Sequence, residues 1–182
     1  MTGTVRRPTA AELEAAREQT LPDVVRPRLD VLFCGINPGL YSAATGFHFA
    51  RPGNRFWPAL HRSGFTPRQL RPDEQWDLLD LGLGVTNVVP RASARADELS
   101  AAELRKGAER LTALVREQRP RVLAVLGISA YRAAFARPRA VVGEQEPGIW
   151  VLPNPSGLNA HYQLPALVEE FRRLRLAPIL DR

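Results

Sequence analysis

The chain has 182 residues, enough for one domain to bury a sizeable core without covalent or metal staples, and too few for a multidomain machine. Its 25 Lys and Arg against 19 Asp and Glu leave a net charge of +6, which favours an anionic partner such as nucleic acid. Cys34 stands alone, excluding an intramolecular disulfide, a Cys-rich zinc site and a four-cysteine iron–sulfur cluster, and no apolar run is long enough to span a membrane or serve as a secretion signal.

In chain order, Thr9-Ala-Ala-Glu12 has the form of a capping box and predicts a short helix through Leu13 and Ala16, ending before Pro22. Residues 1–28 read as a leader and linker, and residues 29–182 as a single domain. Val31-Leu-Phe-Cys34, closed by Gly35, suits a strand buried on both faces. Helices are expected from Asn54 to Arg62, with Phe56, Trp57 and Leu60 inward, and from Glu74 to Leu81. Gly84-Val-Thr-Asn-Val-Val89 is β-branched and stops at a proline, as a strand would. Ser100 and Glu103 form a second capping box ahead of Leu104, Ala108, Leu111 and Val115 at helical spacing.

Val122-Leu-Ala-Val-Leu126 followed by Gly127 repeats the pattern of the first strand, and a helix through Tyr131 and Phe135 follows it. Ile149-Trp-Val-Leu152 is the last strand, and Leu164, Leu167, Val168, Phe171 and Leu174 mark a closing amphipathic helix. Four short apolar strands alternating with helices predict an α/β fold. Its expected form is a three-layer α/β/α sandwich around a short, mainly parallel four-stranded sheet.

Ligands of such sheets bind beyond the carboxyl ends of the strands. Two Gly- and Pro-rich segments fall there: Gly35-Ile-Asn-Pro-Gly-Leu-Tyr-Ser42 and Pro153-Asn-Pro-Ser-Gly-Leu158. Each reads equally well as a tight turn, yet two at corresponding strand ends favour a site. The first is not a phosphate loop, since it lacks the Gly-Lys-Ser/Thr ending. Between them, Gly46-Phe-His-Phe-Ala-Arg-Pro-Gly-Asn-Arg-Phe-Trp57 interleaves aromatics with arginines, the texture of a nucleic-acid pocket. On this reading Phe56 and Trp57 belong to the core, and Phe49 to the site.

Together, Gly35-Ile-Asn-Pro-Gly-Leu40, Phe49 with Asn54-Arg-Phe-Trp57, Gly84-Val-Thr-Asn87 and Asn154-Pro-Ser-Gly-Leu158 resemble the mismatch-specific uracil/thymine DNA glycosylase family, in order and with family-like spacing. The resemblance implies hydrolysis of the N-glycosidic bond of uracil mispaired with guanine in duplex DNA, leaving an abasic site. It implies that Asn37 holds the attacking water, a role within an amide's reach because it can orient water without deprotonating it. By the same resemblance, backbone N–H groups around Ile36 and Phe49 stabilise the departing base, Phe49 stacks on it and Asn87 faces its polar edge. Ser42 and Asn87 give opposite cues about thymine. Crowding by Ser42 near the C5 methyl decides for uracil, with thymine and other modified bases as weaker substrates.

Asn154, Pro155, Ser156, Gly157 and Leu158 would form the loop that enters the duplex, with Leu158 filling the space of the extruded base. After Leu158 the chain reads Asn159-Ala160-His161, without the nearby arginine of bacterial relatives. Arg51 and Arg55 are expected at the DNA backbone. Lys106 is the single lysine, so the remaining 24 of the 25 cations are arginines. A lyase step through a Schiff base is therefore not expected. A monomer in the cytoplasm, associated with the nucleoid, without metal or cofactor, completes the expectation. A non-catalytic damaged-DNA-binding module and a small-nucleoside hydrolase are the alternatives.

Overall fold

The structure, a computed structural model, describes residues 6–181. Its elements are α1 (Ala10–Ala15), β1 (Val31–Gly35), α2 (Leu40–Thr45), α3 (Phe56–Arg62), a 3-10 helix over Pro72–Leu81, β2 (Leu83–Asn87), α4 (Ala101–Gln118), β3 (Val122–Leu126), α5 (Ile128–Ala134), β4 (Gly143–Glu146), β5 (Ile149–Leu152) and α6 (Leu164–Arg175). The strands form one sheet in the order β2-β1-β3-β5-β4. The first four run parallel, and β4 pairs antiparallel with β5.

The sheet thus has five strands and is mixed, where the sequence predicts four. The strand missed is β4, Gly-Glu-Gln-Glu. It carries no apolar run because it is an edge strand whose residues alternate between half-buried and exposed, and charge along an edge is a common guard against stray pairing. Beyond the turn at Gly148, whose φ is +86°, β5 enters the sheet.

Strand residues alternate between the two faces and so supply both cores. Val31 and Phe33 of β1 join Phe56, Leu60, Leu167 and Phe171 on the α3/α6 side. Leu32 and Cys34 join Ala108, Leu111, Tyr131 and Val151 on the α4/α5 side. Phe33 packs edge-on to Phe56 at 5.5 Å and parallel to Phe171 at 5.8 Å, which ties that layer together. Burial pushes the Cys34 thiol up, leaving it a core apolar group rather than a nucleophile.

Both predicted capping boxes form: Thr9 with Glu12, and Ser100 with Glu103. The segment ahead of β1 is tied to the sheet. Val24 and Val85 exchange backbone hydrogen bonds of 2.8 and 2.9 Å, and Leu21, Val24 and Leu29 are buried. Among the described residues no helix is long and apolar enough to cross a membrane.

α4 lies so close to the chain leaving β2 that a Cβ at Gly107 would collide with the Val88 carbonyl. Alanine ordinarily favours a helix interior by about 1 kcal/mol over glycine. Here Gly107→Ala is expected instead to destabilise the protein by about 1–3 kcal/mol through overpacking. Urea unfolding of the two proteins measures it, and a stabilised variant would refute the close approach.

Candidate active site

At the carboxyl end of the parallel strands lies a cavity of about 790 Å³. The loops after β1 and β5, the 48–54 stretch, Asn87 at the end of β2 and the N-terminal segment all contribute to its wall. It gathers Ile36, Asn37, Ser42, Phe49, Arg51, Asn87, Asn154, Pro155, Ser156 and Leu158 from the sequence-predicted set; Arg55 and Gly157 do not line it.

The floor depends on Gly35. It is paired in register with Asn87 across β1 and β2, and a Cβ on it would sit 2.6 Å from Asn87 Oδ1 and 3.3 Å from the Phe49 ring. Only the missing side chain lets those two groups converge over the end of the sheet.

Asn37 has a fixed amide. Its Nδ2 donates to the Arg91 carbonyl at 3.1 Å and to Ser93 Oγ at 2.8 Å, while Ser93 donates to the Arg95 carbonyl at 2.7 Å. A carbonyl can only accept, so the nitrogen must face Arg91. Oδ1 is left with no partner among the described residues, an acceptor available for water.

Phe49 adopts φ +53°, a left-handed conformation that costs a residue other than glycine about 1–2 kcal/mol. Its neighbours hold it there: His48 N–H donates to Gln75 Oε1 at 2.8 Å, and Ala50 N–H donates to the buried Ser42 Oγ at 3.2 Å. Between them the Phe49 N–H has no partner among the described residues. The Phe49 ring stacks on Phe56 at 4.2 Å, so Phe56 and Trp57 are core, as the sequence suggests, and they back the ring that lines the cavity. Strain held in place by surrounding contacts is common at functional sites.

The loop from Asn154 to Leu158 is built from local side-chain bonds. Asn154 Oδ1 accepts from Ser156 N–H at 2.9 Å, Ser156 Oγ accepts from Leu158 N–H at 3.2 Å, and Asn159 Nδ2 donates to the Asn154 carbonyl at 2.9 Å. Gly157 packs so tightly on Gly53 that a Cβ would come 2.6 Å from its carbonyl oxygen. At the tip Leu158 is 77% exposed, the most exposed large apolar side chain among the described residues.

Arg55 calls for a correction. Expected at a phosphate, its guanidinium instead donates to the carbonyls of Ser156, Gly157, Asn159 and Tyr162 and to Gln163 Oε1, at 2.8 to 3.2 Å. Its own N–H donates to the Pro155 carbonyl at 2.8 Å. A planar fork of five donors suits that cluster of acceptors, and its donors are turned inward. Arg51, by contrast, is exposed at the cavity with no side-chain partner among the described residues.

Several residues of the site have no signature in the sequence. Ser93 accepts from the Asn37 amide and His48 Nδ1 lies 3.5 Å from Asn87 Nδ2, and these partners are distant in the chain. Arg7, Leu13 and Leu21 of the N-terminal segment line the cavity, although composition marks that stretch only as a leader. The capping box at Thr9 is the one local sign that it is ordered.

A family model described as the uracil DNA glycosylase superfamily matches residues 22–175. Among solved structures, the solution NMR structure of a protein from Methanosarcina acetivorans, provisionally described as a uracil DNA glycosylase, is similar to this chain. The match has a TM-score of 0.59 and 20% identity over 87% of this chain and 98% of that one. At that identity the likeness speaks for the fold.

Replacing Arg55 with Met removes the donors that hold the 156–163 loop while keeping an unbranched apolar stem. Amide hydrogen exchange in that loop is expected to quicken by at least about tenfold, with the core strands unchanged. Unaltered loop protection would show that Arg55 does not brace it.

Proposed function

Because the chain belongs to the uracil DNA glycosylase superfamily, we propose that it is a monofunctional glycosylase. On this reading it extrudes uracil mispaired with guanine from duplex DNA and hydrolyses the N-glycosidic bond, leaving an abasic site. The observation that carries this reading is the fixed Asn37 amide, with both donors engaged and Oδ1 open at the cavity. A water accepting nothing from that oxygen but donating to it is oriented with its lone pair free for the sugar carbon.

Bond cleavage in such a site passes through an oxocarbenium-like sugar, as glycoside cleavage generally does. The C1′–N1 electron pair leaves with the base, the water oxygen bonds to C1′, and the water proton passes to solvent. Asn37 cannot act as a base near neutral pH, so the reaction relies on stabilising the departing anion. The unpartnered Phe49 N–H, with that of Ile36, supplies donors for it, and the Phe49 ring supplies a stacking face. Ser42, whose oxygen holds the Ala50 N–H, crowds the region a C5 methyl would enter, so uracil is preferred over thymine and other modified bases.

Leu158 is the wedge that fills the gap left by the extruded nucleotide, and the braced loop beneath it, from Asn154 to Gly157, keeps it rigid. Arg51 neutralises a neighbouring phosphate. Residues 29–182 form the catalytic domain, and the segment before them forms part of the mouth. Lys106, exposed on α4, lies outside the cavity wall, which supports hydrolysis without a lyase step. The partner is duplex DNA carrying a G·U mismatch, met by a monomer in the cytoplasm.

The direct test is incubation with a G·U duplex followed by alkaline cleavage at abasic sites. Strand scission is expected for the wild type, whereas Asn37→Ala should lose at least about two orders of magnitude in single-turnover rate while still binding the duplex. Stoichiometric binding without scission by the wild type would make the protein a damage-binding module, and turnover of free deoxyuridine would make it a nucleoside hydrolase. For Arg51→Gln, the slope of log affinity against log salt should fall by about 1, and an unchanged slope would remove Arg51 from the phosphate contact.

A further inference from the structure

His48 is 2% exposed, with its ring 6.4 Å from that of Phe49, and the hydrolytic step does not use it. Its Nε2 lies 2.8 Å from the Pro22 carbonyl oxygen, and its Nδ1 lies 3.5 Å from Nδ2 of Asn87. The ring is also fixed through its own backbone, which donates to Gln75 and accepts from Trp57 Nε1 at 3.1 Å. Gln75 in turn donates to the Gly46 carbonyl at 3.1 Å.

From this arrangement we propose that His48 is a positioning residue that sets which way the Asn87 amide faces, and so which hydrogen-bonding edge of a pyrimidine the cavity accepts. The proposal rests on the base-pocket reading above and deepens it.

The Pro22 carbonyl can only accept, so the imidazole proton must sit on Nε2. Burial lowers the tendency of the ring to take a second proton, against the opposing pull of the Pro22 carbonyl and of Asp23. Nδ1 therefore presents a bare lone pair. Only the amide nitrogen of Asn87 can face it, because the amide oxygen there would set lone pair against lone pair. Oδ1 is turned to the opposite side, over Gly35, where a Cβ would come within 2.6 Å of it. Arg110 holds the backbone of the same residue by donating to the Asn87 carbonyl, so rotation about the side chain is the freedom that His48 removes.

Fixed in this way, Asn87 offers the cavity an acceptor oxygen and its remaining N–H. That pair complements a base edge with a ring N–H beside a carbonyl, as in uracil. It opposes an edge with a bare ring nitrogen beside an amino group, as in cytosine, and buried polar groups left unpaired by the wrong ligand discriminate strongly. To take cytosine the amide would have to turn over and face its oxygen to Nδ1.

Two measurements test this. Nitrogen-15 shifts of the imidazole at neutral pH, which need no substrate, are expected to show His48 neutral with the proton on Nε2. A ring protonated on Nδ1, or doubly protonated, overturns the proposal. The second measurement compares affinities for duplexes carrying 2′-fluoro-deoxyuridine or 2′-fluoro-deoxycytidine, each opposite the same abasic position so that extrusion costs match. The fluorine disfavours the oxocarbenium-like sugar, so binding is read without cleavage. The wild type is expected to prefer the uracil analogue, and His48→Leu to lose at least about tenfold of that preference, the equivalent of one discriminating hydrogen bond. Equal weakening towards both analogues, an unchanged ratio, or no preference in the wild type overturns it. A wild type that shows the tautomer and the preference but cuts no G·U duplex would sink the glycosylase reading and leave the role of His48 standing.

Discussion

β1 and β2 lie parallel with Gly35 opposite Asn87, and on that register the rest of the site depends. Because position 35 carries no side chain, the Asn87 amide and the Phe49 ring both reach the space above the end of β1. A register slip of one residue would replace Asn87 at that point and turn every buried side chain of β2 to the other face. The slip is prevented because all five residues of each strand are buried, so both cores hold the alignment.

The outer edge of β2 is held by three consecutive residues of the segment before β1. Pro22 accepts from His48. Asp23 accepts from Thr86 Oγ1 at 2.7 Å and pairs with Arg110 at 3.3 Å, and Arg110 in turn reaches the Asn87 carbonyl. Val24 completes the cover by pairing its backbone with Val85. One short stretch thus protects an edge strand from further pairing and joins β2, α4 and the buried imidazole. The half-buried Asp23–Arg110 pair matters here more for placing donors than for net stability.

Arginine is used in the same way elsewhere. Arg55 gathers the carbonyls of the 156–163 loop, Arg91 bridges Glu18 and Glu103, Arg132 donates to the Ala140 carbonyl and Arg175 to that of Gly64. A guanidinium has more donors than an ammonium and a fixed plane on which to spread them. Much of the positive charge is therefore occupied within the fold, and the net charge alone says little about where DNA would lie. Arg7 and Arg51, which line the cavity without side-chain partners among the described residues, are more telling than the sum.

Apolar runs and capping boxes are local signals, and they placed four strands and the main helices within a residue or two. Glycine- and proline-rich turns after apolar strands marked the loops that carry Asn37 and Leu158, interleaved aromatics and arginines marked Phe49, and Asn87 was singled out only through the family resemblance; the fold brings all four to one cavity wall. β4 escaped because an edge strand of alternating charge has no apolar run to detect. Arg55 was misjudged because a guanidinium in a loop looks the same whether it meets a phosphate or a cluster of carbonyls. Only the fold brings Ser93 to Asn37, His48 to Asn87 and Pro22 to His48. Those pairings join residues 26 to 56 positions apart, and the orientation of an amide depends on the partner across that gap. The sequence by itself determined the four apolar strands, their alternation with helices and the residue types at the strand ends. The tertiary structure decided which way those residues face.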